Sequence, residues 1–143
     1  MKKNYINPTD EAAMALFTKG LEGEIVMLNM IKYNEFADYS EHPDLAPAEQ
    51  ITGEQAYQLY MQHTTPFLQE SGGEVIFMGT ASEYFIGPAD SKWDLVFLVK
   101  QKSLQHFMAF ATNEDYLAGI GHRTAAVADS RLLPIQPVQP KQI

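Results

Sequence analysis

The chain has 143 residues, is 45% hydrophobic and contains no cysteine, which suits a single globular domain and excludes disulfide bonds and thiolate metal sites. Its formal net charge is −8, and no Lys or Arg occurs between Lys32 and Lys92. Because such an acidic surface repels phosphate backbones and anionic membranes, we expect neither nucleic acid nor a membrane as a partner.

The first residues do not continue as a signal peptide would. Met1-Lys2-Lys3 resembles the start of a signal peptide, but a polar stretch follows at residues 4–11 where an apolar run is required. No apolar stretch approaches the ~20 residues of a membrane span. We therefore predict a cytoplasmic protein that forms one domain over residues 1–143, with a core at about 23–135 and a C-terminal tail at 136–143.

The first elements are a short helix and a strand. Pro8 followed by Asp10 and Glu11 predicts a helix start, and Gly20 predicts its end. Residues 24–33 then read as a strand whose two faces are both mostly apolar, so the strand should be covered on both sides. A lone amide, Asn29, lies among these apolar residues and requires hydrogen-bond partners if it is buried.

A long loop and a helix come next. Residues 34–51 contain acids and prolines without any helical or strand period, which predicts a loop that acts as a flap over a ligand site. Thr52 and Gln55 form a capping-box pattern, and Gly72-Gly73 ends the helix that follows.

The second half of the chain predicts two strands, helical segments and a final strand. Residues 74–86 read as a strand with a bulge at Gly79, and residues 93–100 read as the next strand. Ser103 and Asn113 are candidate starts of helical segments, and residues 131–135 form the last predicted strand.

This order predicts an α+β domain with a ferredoxin-like βαββαβ fold, namely a four-stranded antiparallel sheet with its helices on one face and an extra N-terminal helix. The sheet face without helices would be apolar. Because an exposed apolar face of this size usually finds a partner, we expect a homodimer in which two sheets pack together.

Three sequence blocks carry a resemblance to a known family. They are residues 27–33 with 37–39; residues 53–60 leading to 72–73; and residues 93–94, 116, 122–123, 125–126 and 129–132. Over about residues 23–133 the chain resembles the domain-of-unknown-function family thirteen-thirty, within the dimeric α/β-barrel superfamily. The resemblance implies ferredoxin-like protomers paired through their sheets, with ligands held between sheet and helices. The superfamily includes cofactor-independent monooxygenases, haem-degrading enzymes, lactone isomerases and chlorite-decomposing haem enzymes, whereas the family itself has no agreed reaction.

Two catalytic candidates are Asn29 and His122. In the superfamily's monooxygenases an asparagine on the first strand points into the substrate cleft, where it can hold a quinone or enolate oxygen. His122 can exchange a proton near neutral pH. The alternatives are that Asn29 satisfies nearby backbone groups and that His122 has no chemical role.

The ligand-binding candidates are Tyr57, Tyr60, Trp93 and Arg123. Arg123 can hold a carboxylate in bidentate geometry, or it can fasten the last helix to the sheet through Asp129 or Asp94. Tyr57 and Tyr60 have the spacing of a helical core face, although one hydroxyl could line a cleft. We expect Trp93 in the same cleft. The four histidines show no metal-ligand spacing, so no metal and no cofactor is predicted.

These residues leave several functions open. The first is a homodimer whose apolar cleft binds a small organic acid, lactone or quinone-like compound, an apolar or weakly acidic ligand, with cofactor-independent proton transfer or oxidation as its reaction. The second is a non-catalytic ligand-binding or dimerisation module. The third is a haem-handling enzyme with His106 or His122 as the axial ligand. The sequence does not decide whether the protein is an enzyme.

Overall fold

The computed structural model of the protein describes residues 4–140. Its strands are β1 (Ile25–Tyr33), β2 (Glu74–Thr80), β3 (Leu95–Gln101) and β4 (Val127–Ile135). Its helices are α1 (Asp10–Thr18), α2 (Gly53–Glu70), α3 (Leu104–Ala111), α4 (Glu114–Leu117) and α5 (Ile120–Ala126), with a 3-10 turn at Pro43–Leu45. The strands pair antiparallel in the order β2-β3-β1-β4. This is the predicted ferredoxin-like α+β arrangement with an additional N-terminal helix.

The two faces of the sheet differ because side chains alternate along each strand. The inner face, which the helices cover, carries the odd-numbered residues of β1, and Ile25, Met27 and Ile31 are buried there. Ile31 packs with Tyr57 of α2 and Phe97 of β3 in the larger core cluster. The inner face therefore contains the hydrophobic core.

The opposite side of the sheet, the outer face, is apolar and open. The register places Leu28 beside Leu98 and Leu133, and Leu98 beside Phe77 of the edge strand β2. Phe77 is 59% exposed and Leu133 is 57% exposed. The predicted apolar face without helices is therefore present in this fold.

The N-terminus of α2 is fixed by a cap and by a close backbone approach. Thr52 and Gln55 form the predicted capping box. A Cβ on Gly53 would lie 2.8 Å from the Ala126 carbonyl oxygen and 2.9 Å from the Asn34 backbone nitrogen. Only glycine fits at this junction, where α2 meets the end of β1 and the end of α5.

Three predicted strand features were wrong. The strand expected to reach residue 86 ends at Thr80, and the bulge lies between Val75 and Phe77 rather than at Gly79. The chain instead forms an arm, residues 81–92, whose ends are joined by hydrogen bonds from Ala81 N to Asp94 O and from Trp93 N to Ser82 O. The last strand starts at Val127, four residues earlier than predicted, because its polar residues pair with β1.

The loop at residues 34–51 is attached to its surroundings at several points. Asn34 N donates to Ala126 O, Asp38 N to Ala125 O, and Ala37 N to Ile51 O. It is thus a packed connection, and its role as a flap stays a prediction.

No helix within residues 4–140 is both long and apolar enough to cross a bilayer. Residues 136–140 of the predicted tail are exposed and have no regular structure, and residues 141–143 lie outside the described part of the chain.

Candidate functional site

Asn29 lies on the inner face at a point where the helices leave the sheet partly uncovered. Its register partners are Phe97 on β3 and Leu132 on β4. Its amide nitrogen donates to the Met27 carbonyl oxygen at 3.1 Å, and its side chain is only partly buried. Leu132 beside it is 48% exposed. A small molecule can therefore approach the Asn29 amide from solvent.

Three tyrosines pack between α2 and α4, and one of them reaches Phe97, the register partner of Asn29. Tyr57 is 1% exposed, and its ring centroid lies 6.5 Å from that of Phe97 and 5.3 Å from that of Tyr60. The Tyr60 and Tyr116 hydroxyl oxygens are 2.7 Å apart. Burial raises the pKa of both the Tyr57 and the Tyr116 hydroxyl, so both are neutral donors at physiological pH.

Arg123 joins α5 to β4 and to the N-terminal segment. Its Nη1 donates to the Ile6 carbonyl oxygen at 2.7 Å and its Nη2 to the Ser130 hydroxyl at 3.3 Å. It also lies beside the Tyr57 hydroxyl, where its charge and a hydrogen bond partly offset the rise in pKa that burial causes.

The acidic partners expected for Arg123 were wrong. Asp129 pairs with Arg131 at 2.6 Å, and Asp94 accepts from the Tyr33 backbone at 2.8 Å. Within residues 4–140 no carboxylate oxygen lies within 4.0 Å of the Arg123 guanidinium. The arginine is held by neutral groups and its positive charge has no ion-pair partner in this part of the chain.

We call the combination of Asn29, Leu132, Ser130, Arg123 and the three tyrosines the inner-face site. On β4, Ser130 pairs with Ile31 and Leu132 pairs with Asn29. Ser130, which Arg123 contacts, is therefore the next residue on the same face as the exposed Leu132, roughly 7 Å away along the strand. These residues bring a cation, an amide and phenolic hydroxyls to the inner side of the sheet. Such a set can hold a carboxylate or another oxygen anion.

His122 points away from Arg123, although the two are adjacent in α5. Its Nδ1 lies 2.7 Å from the Tyr39 hydroxyl in the loop at residues 34–51, and the two rings meet edge to face. Burial, and secondarily the nearby His63, lower the pKa of His122. The imidazole is therefore neutral at physiological pH and able to accept a proton, but the structure does not bring it into the inner-face site.

Trp93 is also apart from the inner-face site. It is 5% exposed, and its indole nitrogen donates to the Tyr84 hydroxyl at 2.6 Å. Its ring lies beside the Arg131 guanidinium, and Arg131 pairs with Met30, which belongs to the outer face. The structure thus places Trp93 at the base of the arm and not beside Asn29.

Two surface cavities of about 270 and 260 Å³ lie along α2, and neither includes Asn29 or Arg123. Neither cavity is therefore part of the inner-face site. Among residues 4–140 no three His, Asp or Glu side chains converge as a metal site. His63 is instead within hydrogen-bond distance of the Asp115 carbonyl, and His106 of its helix cap Ser103.

Four residues of these sites were not predicted from the sequence as site residues: Tyr39, Tyr116, Ser130 and Leu132. Tyr39 and Tyr116 belong to the blocks that resemble the known family, and this was the available signal. Ser130 and Leu132 also lie in these blocks, but their places beside Ile31 and Asn29 follow only from the register between β1 and β4, which joins residues far apart in the chain.

Residues 45–135 match the model of a protein family described as a domain of unknown function, DUF1330. No match was found among curated proteins. Two solved structures are similar over nearly the whole chain. One is RPA0582, a protein of unknown function from Rhodopseudomonas palustris, with 33% identity, a TM-score of 0.86, and coverage of 96% of this chain and 100% of that chain. The other is a methylated form of RPA0582, with 33% identity, a TM-score of 0.87, and coverage of 97% and 98%.

Proposed function

The chain belongs to the DUF1330 family, and we propose that it is a homodimer that binds a small organic acid at the inner-face site. The acid group pairs with Arg123, while the apolar part of the ligand lies against Leu132 and Phe97. A second oxygen of the ligand meets the amide of Asn29. This combination favours an organic acid, or an enolate or quinone-like compound of similar charge, over a nucleotide or a metal ion.

The observation that carries this proposal is the unpaired charge of Arg123. A part-buried guanidinium in a chain of net charge −8 would ordinarily find a carboxylate, yet its described contacts are all neutral. Arginine presents five donors, and its contacts with Ile6, Ser130 and the Tyr57 hydroxyl do not use all of them. The remaining donors and the uncompensated charge suit a bidentate carboxylate.

The homodimer rests on the outer face. A contiguous apolar surface that contains Leu28, Leu98, Phe77 and Leu133 is costly to leave in water, and two copies can cover it by packing sheet on sheet. Such a dimer leaves both inner-face sites open, since each lies on the opposite side of its own sheet.

Proton transfer at His122 is a second candidate, favoured by the neutral imidazole and its contact with Tyr39. Its substrate would approach His122 from the side of α5 that faces the loop at residues 34–51. If a screen finds turnover that survives His122→Gln, the histidine has no part in the chemistry and the protein is better described as a binding module.

Calorimetric titration with benzoate, and with benzamide as its neutral match, tests acid binding. Benzoate should bind the unaltered protein and benzamide should bind at least ten-fold more weakly. Arg123→Gln should lose benzoate binding, whereas Arg131→Gln, which changes an arginine on the outer face, should retain it. Asn29→Leu provides a second variant if Arg123→Gln does not fold. Benzoate binding that is independent of Arg123 and Asn29, or no binding of benzoate at all, would overturn the proposal.

A further inference from the structure

We propose that the arm, residues 81–92, docks on the outer face of a second copy of this chain, so that each protomer of the dimer holds the other. This inference rests on the homodimer proposed above and adds a contact that sheet packing alone does not provide. The arm and the outer face that receives it belong to two copies of the same chain, and the two arms make equivalent contacts around a two-fold axis.

The arm is an ordered structure. Glu83 and Lys92 form an isolated antiparallel bridge, and Trp93 at its base donates to the Tyr84 hydroxyl. Gly87 has a φ of +158°, and a Cβ at this position would lie 2.5 Å from Cγ of the Tyr84 ring. The turn therefore packs closely on Tyr84, and the tip of the arm is held in one shape.

This ordered tip presents its apolar residues to solvent. Phe85 is 100% exposed and Ile86 is 87% exposed, whereas Tyr84 beside them is anchored. Scattered apolar residues on a surface need no explanation, but two consecutive ones at the tip of a pre-formed arm make an anchor for a binding partner. Because the arm is already ordered, docking it costs little conformational entropy.

The arm is continuous with the outer face. The Trp93 ring lies 5.2 Å from the Arg131 guanidinium carbon, and Arg131 extends from the outer face of β4. The arm thus projects from the end of the sheet that carries Arg131, beyond the apolar surface that the dimer covers. An interface that buries the end of the outer face around Arg131 brings the partner close to the base of the arm.

The charges at the two ends of the outer face identify a second copy as the partner. One end carries Lys32, Arg131 and Asp129, which are two cations and one carboxylate. The other end carries Lys100 with two carboxylates, Glu24 at 4.0 Å and Glu74 at 3.8 Å. When two copies stack with their strands running in opposite directions, Lys32 and Arg131 of each copy approach Glu24 and Glu74 of the other. Each arm then extends over the far end of the partner's apolar face.

Sedimentation equilibrium of the full chain tests the proposal. The Phe85→Ser/Ile86→Ser double variant should raise the dimer dissociation constant at least ten-fold. Val138→Ser, which removes another apolar residue that is 85% exposed, should leave the dissociation constant unchanged. Leu133→Asp, on the outer face itself, should abolish the dimer. Circular dichroism and the melting temperature of each variant's monomer show whether it is folded.

A second measurement reports the position of the arm directly. The chain has no cysteine, so a spin label attached to the exposed A89C variant is the only label on each protomer. Double electron–electron resonance should give one narrow distance between the two labels, which broadens when the double arm substitution is added. If the arm substitutions change neither the dimer dissociation constant nor the distance between the labels, the proposed docking of the arm is wrong, whereas the homodimer is still supported. A monomer at tens of micromolar overturns both.

Discussion

The Tyr39 hydroxyl lies 2.7 Å from Nδ1 of His122, although 83 positions separate the two residues in the chain. This contact ties the loop at residues 34–51 to α5, close to where Asn34 and Asp38 bond to the end of the same helix. It also occupies one nitrogen of the imidazole, so only Nε2 remains for any outside group. Loop conformation and the histidine's environment are therefore linked.

Replacing Tyr39 by phenylalanine should lower the free energy of unfolding by about 1 kcal/mol, because one part-buried hydrogen bond is lost and Nδ1 of His122 is left without a partner. Urea denaturation measures this change. Tyr33→Phe is the matched control, since its hydroxyl makes no hydrogen bond within residues 4–140, and it should change stability by less than ~0.5 kcal/mol. Equal effects of the two substitutions would show that the Tyr39 contact does not stabilise the fold.

Stability should fall as the medium becomes acidic, in part because of His122. Burial holds its pKa below the ordinary value of 6.5 in the folded protein, whereas the unfolded chain regains that value. Well above pH 6.5 the imidazole is neutral in both states and does not affect stability. As the pH drops through 6.5, the unfolded state binds the proton first, so the free energy of unfolding falls. The decrease in melting temperature between neutral and mildly acidic buffer should be smaller in His122→Gln than in the unaltered protein. His106→Gln, at an exposed position on α3, should keep the original decrease.

The Arg123→Met variant should lose about 2 kcal/mol of stability, since the guanidinium bonds to Ile6 and Ser130 disappear together. Arg131→Met removes an arginine that is 43% exposed and pairs with Asp129, so it should cost below ~1 kcal/mol. Chemical denaturation of both variants compares them. A similar, small loss in both would mean that Arg123 does not fasten α5 to β4.

The hydroxyls of Tyr60 and Tyr116 should be energetically coupled. Their oxygens are 2.7 Å apart, and either single Tyr→Phe substitution leaves the other hydroxyl without this partner. A double-mutant cycle of Tyr60→Phe and Tyr116→Phe should therefore give a coupling energy of about 1 kcal/mol. Strict additivity of the two single effects would contradict the hydrogen bond.

Features set by neighbouring residues could be predicted from the sequence. The Thr52–Gln55 capping box formed as expected because these two residues, three positions apart, satisfy each other's backbone N–H groups. The alternation of side chains along β1 predicted both the strand and the face on which Asn29 lies, because this pattern also depends only on neighbouring residues. The residues of the arm misled the prediction of β2, because Tyr84, Phe85 and Ile86 have strand-like composition whether they pair in the sheet or project from it.

The membership of the site depended on distant parts of the chain. The sequence places His122 and Arg123 side by side, but the helix directs one to Tyr39 and the other to Ser130. It gives no sign that Arg123 is held by a carbonyl at residue 6 rather than by Asp129. Trp93 was grouped with Asn29, and only the pairing of β4 with β1 shows that Trp93 packs towards the opposite face.

The pairing of β4 with β1 also determines the order in which this protein can assemble. Tyr5 accepts hydrogen bonds from the backbone and the hydroxyl of Ser130, 125 positions away, and residues 34–126 separate β1 from its neighbour β4. Closing so large a loop is entropically costly, and proteins dominated by such distant contacts fold slowly. We expect β2, β3 and α2 to gather around β1 first. The segment around Tyr5 and Ile6 then locks onto β4 and α5 in the final step, which makes the Arg123 bond to Ile6 one of the last native contacts to form.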